Sequence, residues 1–145
     1  MKIADILKTK GPVVFTINED NMLSEALNSI VTNRIGVLVV LNSSSQITGI
    51  ISERDILKAS FENGAAYLLK MVKDVMTRNV VIAEPEDSIE YVEQTMTQNR
   101  FRHVPIIKDN ALVGLISIGD LVKALLSESR SENKYMKDYI SGFTM

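Results

Sequence analysis

The chain has 145 residues, 46% of them hydrophobic, and its 16 lysines and arginines against 18 aspartates and glutamates leave a net charge of -2. So small an imbalance gives no electrostatic basis for binding nucleic acid or an anionic membrane surface. Having no cysteine and one histidine excludes disulfides, thiolate zinc sites and cysteine nucleophiles, and no stretch approaches the roughly eighteen apolar residues of a membrane span.

In chain order, Val13 to Ile17 reads as a short strand, followed by an amphipathic helix with Leu23, Ala26, Leu27, Ile30 and Val31 on one face. Two apolar strands, 36–41 and 47–51, flank the turn Asn42-Ser43-Ser44-Ser45, and a helix begins near Ser52. The segment from Phe61 to Lys73, with Ala65, Leu68, Leu69 and Val72, reads as a linking helix. The same order then returns. A strand is expected at 80–83, a helix over Ile89, Val92 and Met96, two strands around 104–107 and 112–116 joined at Asp109-Asn110, and a helix from Ile118. Past Leu126 the chain turns polar, then regains Tyr135, Met136, Tyr139 and Ile140 at a spacing that fits a helical extension whose apolar stripe needs a cover.

The return is a true internal repeat. Gly49 to Ala59 reads GIISERDILKA and Gly114 to Ala124 reads GLISIGDLVKA, with six of eleven positions identical at a period of 65 residues. That period suits a small subdomain that buries its core against a copy of itself. Asn33-Arg34 also matches Asn99-Arg100, and Asp5-Ile6-Leu7 matches Asp74-Val75-Met76. The expected organisation is a first repeat over 1–62, a linking helix over 63–73, a second repeat over 74–126 and a helical extension over 127–145. The fold class is α/β (α+β).

Serine where a strand becomes a helix, with aspartate three residues later, has two physical readings. It is a form of capping box, Ser52 and Asp55 in one copy, Ser117 and Asp120 in the other, and needs no ligand. It is equally an anion site, where free N–H groups, the helix dipole and the hydroxyl receive phosphate while the carboxylate accepts a vicinal diol such as a ribose. Arg34 and Arg100 close equivalent helices and read as complements to the helix dipole, Lys58 and Lys123 as solvated faces, and the methionines as core filling.

These residues resemble a known family, the CBS-domain pair or Bateman module. The repeated Gly-Ile-Ile-Ser-Glu-Arg-Asp and Gly-Leu-Ile-Ser-Ile-Gly-Asp carry the resemblance, with Val75-Met76-Thr77 and Arg102-His103-Val104-Pro105-Ile106. It implies a tandem pair of βαββα-type halves about a pseudo-twofold axis, binding AMP, ADP or ATP, or less often NAD(H) or S-adenosylmethionine, as regulatory ligands. It implies one site combining Ile50, Ser52, Arg54 and Asp55 with Thr77, Val80, Arg102, His103 and Pro105. The other combines Leu115, Ser117 and Asp120 with Lys10, Val13, Ile35, Gly36 and Val37. Arg54, Arg102 and His103 in the first stand against Gly119, Gly36 and Val37 in the second, so the Asp55 site is expected to hold phosphorylated nucleotides more tightly.

The expected function is a stand-alone regulatory module that associates as a homodimer, as is usual for the family, signals to an effector protein and uses no catalytic cofactor or metal. The alternative is a ligand-independent dimerisation scaffold. Catalysis is not expected, since the phosphate-loop, dinucleotide and nucleophile-elbow motifs are all missing. The first residues carry Lys2 and Asp5 without an apolar run, and a cytoplasmic location is expected.

Overall fold

The structure, a computed structural model, describes residues 1–11 and 13–129. The stripe at Tyr135, Met136, Tyr139 and Ile140 lies outside the described residues. The elements run α1 (Ile3–Lys10), β1 (Thr16–Asn18), α2 (Leu23–Asn33), β2 (Val37–Leu41), β3 (Ile47–Ser52), α3 (Glu53–Asn63), a 3-10 helix (Gly64–Leu69), α4 (Val72–Val75), α5 (Ile89–Asn99), β4 (His103–Lys108) and β5 (Ala111–Ser117). A last helix, α6, covers 118–129. The described residues divide into two compact units: Val13–Ile82, and residues 1–11 together with 83–129.

In the Val13–Ile82 unit, α2 buries Leu23, Ala26 and Ile30 at helical spacing. It stops where Arg34 turns left-handed at φ 54, its N–H donating to the Ile30 carbonyl. The sheet order is β1-β2-β3, with β1 parallel to β2 and β2 antiparallel to β3. The continuous apolar run Val37–Val40 is buried because both faces of the central strand are covered. Gly64, at φ 61, ends α3, so the linking segment is a 3-10 helix and the short α4 rather than one helix.

The other unit repeats the plan with one loss. α5 buries Ile89, Val92 and Met96 and ends at Arg100, φ 58, as α2 ends at Arg34. β4 and β5 pair antiparallel across Asp109-Asn110, whose φ values of 51 and 63 mark a mirror-image turn suited to a tight hairpin. The strand expected at 80–83 shrinks to one parallel bridge, Ala83 with Ile106. In the first unit Val39 N donates to Phe15 O, but the equivalent residue here is Pro105, which has no N–H to give. The helix α1, which sequence patterning did not single out, buries Ile3 and Ile6 in this unit's core beside Ile89, Met96, Ile106, Ile116 and Leu121.

Candidate functional site

In the Val13–Ile82 unit, β3 ends at Ser52, which caps α3 from extended backbone. Asp55 N donates to Ser52 Oγ at 3.3 Å, while Ser52 N and Oγ both donate to Asp55 Oδ2, at 2.9 and 3.1 Å. The capping box is therefore real. The other carboxylate oxygen is also engaged, since Thr77 Oγ1 donates to Asp55 Oδ1 at 3.2 Å. Thr77 is held by reciprocal backbone bonds with Ile50, at 3.0 and 2.9 Å. Gly49 permits that approach, because a Cβ there would sit 2.5 Å from the Thr77 carbonyl oxygen. Gly36 O accepts from Glu53 N, the first helical N–H, and Val37 faces Ser52 across the sheet. Arg54 and Val13 are exposed, Ile35 and Val80 half-buried.

The second unit builds the same turn with a different partner. Ser117 N donates to Asp120 Oδ2 at 2.9 Å and Asp120 N to Ser117 Oγ at 3.1 Å. Here the carboxylate meets a cation: Lys10 Nζ donates to Asp120 Oδ2 at 2.6 Å and to the Leu115 carbonyl at 2.7 Å. Burial works to raise the Asp120 pKa, but the Lys10 hydrogen bond, helped by Ser117, outweighs it and holds the carboxyl below its ordinary value. His103 faces Ser117 and Pro105 faces Leu115 across the β4–β5 pair, and Arg102 O accepts from Ile118 N as Gly36 O does from Glu53 N. Burial, then the Lys10 charge, lowers the His103 pKa; Asp120 opposes this and Arg102 adds to it.

Each unit thus assembles part of the predicted set: Ile50, Ser52, Asp55 and Thr77 in one, Lys10, His103, Leu115, Ser117 and Asp120 in the other. Two lysines read from the sequence as solvated also border these carboxylates. Lys58 lines a cavity of about 300 Å³ with Asp55, Lys70, Asp74 and Thr77. Lys123 lines one of about 690 Å³ with Asp5, Ile6, Lys10 and Asp120. Their period of 65 residues was the signal available, since both follow the motif aspartate by three positions.

Two strand-to-helix turns, each presenting a serine-braced carboxylate, define a tandem-repeat α/β domain. The chain belongs to the CBS domain family, whose model matches residues 3–62 and 72–127. It is similar to the CBS domain-containing protein CBSX3, mitochondrial, of Arabidopsis thaliana, with 34% identity over 97% of this chain and 72% of that one. Among solved structures it resembles the CBS-domain containing protein ATU1752 from Agrobacterium tumefaciens, at 39% identity and TM-score 0.79, covering 85% of this chain and 92% of that one. Two more distant structures share the fold. One is the CBS domain pair of protein MJ0100 in complex with 5-methylthioadenosine and S-adenosyl-L-methionine, at 24% identity, TM-score 0.77, and 88% and 98% coverage. The other is CBSX2 in complex with AMP, at 21% identity, TM-score 0.72, and 88% and 98% coverage.

Proposed function

We propose that this chain is a regulatory module that binds adenosine-containing nucleotides and passes ligand status to an effector protein. The ligands proposed are AMP, ADP or ATP, with NAD(H) and S-adenosylmethionine as further candidates. The observation that carries this reading is the pair of half-buried carboxylates, Asp55 and Asp120, each braced by its serine at a helix start where a ribose diol and a phosphate find acceptor and donors together. The adenosine compounds held by the MJ0100 pair and by CBSX2 support the ligand class. Assignment of Arg102, His103 and Pro105 to the Asp55 ligand, and of Val13, Ile35, Gly36 and Val37 to the Asp120 ligand, is part of the proposal.

The module works as a homodimer and catalyses no reaction itself, so a ligand acts only through its different affinity for two states. Support for the dimer comes from repeated apolar positions that face outward: Leu57 and Phe61 on α3 are 72% and 90% exposed, and their equivalents Val122 and Leu126 on α6 are 49% and 51% exposed. Among the described residues no helix is long and apolar enough to cross a membrane. The cytoplasm is the proposed setting, although the Arabidopsis relative is mitochondrial by name.

A thermal-shift panel of AMP, ADP, ATP, NAD(H) and S-adenosylmethionine tests the ligand class. A ligand at 100 times its dissociation constant adds about 2.7 kcal/mol of stability. A flat response to every compound would favour a ligand-independent dimerisation scaffold.

A further inference from the structure

The two motif aspartates share a sequence pattern and differ in what holds them. Asp55 takes a neutral hydroxyl from Thr77, whereas Asp120 takes the ammonium of Lys10. Lys10 is the last residue of α1, and its amine spends two of its three donors, on Asp120 Oδ2 and the Leu115 carbonyl. The pair is partly open, with 36% and 25% side-chain exposure, so the lysine is free to exchange partners at modest cost. A diol that spans both carboxylate oxygens competes with this ammonium for Oδ2.

We propose that Lys10 is the specificity-determining residue of the Asp120 site, making it take phosphorylated adenosine compounds in preference to uncharged ones. This rests on the adenosine reading above. A phosphoryl group gives the displaced ammonium a new counter-charge, and charge-assisted hydrogen bonds to phosphate are strong. An uncharged nucleoside takes the carboxylate and returns nothing to the lysine. The surroundings add to the bias, since Lys123 lines the same cavity and brings a second ammonium beside Asp120. Thr77 carries no charge to relocate, so the Asp55 carboxylate lacks this device. The sequence comparison that favoured Asp55 for phosphate set Arg54, Arg102 and His103 against Gly119, Gly36 and Val37 and left the Lys10 charge out.

The test is calorimetric titration of AMP and of adenosine into the full chain carrying Asp55→Asn, which isolates the second site, with Lys10, Lys10→Met or Lys10→Arg. Lys10→Met is expected to weaken AMP on the order of tenfold. The same change should leave adenosine unchanged or tighten it a few-fold, because the carboxylate is released from its ion pair. Lys10→Arg keeps the charge and should keep the preference for AMP. An adenosine-to-AMP affinity ratio unmoved by Lys10→Met, or equal weakening of both ligands as a structural role would cause, overturns the inference and leaves the nucleotide reading standing. Failure of both AMP and adenosine to bind the chain with both Asp55 and Lys10 intact overturns the nucleotide reading and this inference with it.

Discussion

Gly49 and Gly114 hold the same place in the repeat under different constraints. A Cβ at position 49 would meet the Thr77 carbonyl oxygen at 2.5 Å and Met76 Sδ at 2.9 Å, and that carbonyl is fixed by its bond from Ile50 N. At position 114 it would meet the tip of the Leu7 side chain, which can turn aside. Gly49→Ala is therefore expected to cost about 1–3 kcal/mol of stability, and Gly114→Ala clearly less, as urea unfolding of the two variants would measure. Residue by residue, the motif's serine and aspartate were legible because a capping box is local and its members lie three positions apart. The reason for the glycine was not, because Met76 and Leu7 come from distant segments. His103 offers a second test, as the only histidine, through its own proton resonance. With burial first and Lys10 next pressing its pKa below 6.5, its NMR midpoint should lie below that value and rise in Lys10→Met. The folded state then resists protonation, so His103's contribution to stability is whole above the unfolded pKa near 6.5 and is lost as pH falls from there through the lower folded value. His103→Asn should flatten that slope; a wild-type midpoint at or above 6.5 would contradict the assignment.

Among elements, α3 and α6 are the pair whose exposed faces repeat. Phe61 at 90% exposure and Leu126 at 51% occupy equivalent positions, and an apolar stripe shared by both copies is better suited to a partner than to water. Sedimentation should show a dimer that Phe61→Glu and Leu126→Glu each weaken, since a buried aromatic at an interface commonly contributes about 2 kcal/mol or more. A wild type that sediments as a monomer would contradict the proposed association. Periodicity foretold α2, α5 and the β2–β3 and β4–β5 hairpins, where apolar spacing and turn residues agree. It overreached at 80–83, where the missing N–H of Pro105 in a neighbouring strand removes the bond that sets the pairing. It passed over α1, an eight-residue helix whose burial depends on contacts far along the chain.

At the scale of the whole molecule, the sequence repeats and the compact units are cut at different places. The leading segment with Ile3, Ile6 and Lys10 folds with residues 83–129, and the segment with Val72, Met76 and Thr77 folds with Val13 to Asn63. Each motif aspartate therefore meets a side chain delivered from beyond its own motif, Thr77 for Asp55 and Lys10 for Asp120. Those deliveries turn two copies of one capping signal into two chemically different sites. Calorimetric titration of AMP into the wild type, Asp55→Ala and Asp120→Ala tests the central claim that these carboxylates hold an adenosine nucleotide. Saturable binding by the wild type, with sites lost from each variant, is the predicted result. Absence of binding, or binding that neither substitution alters, would contradict it.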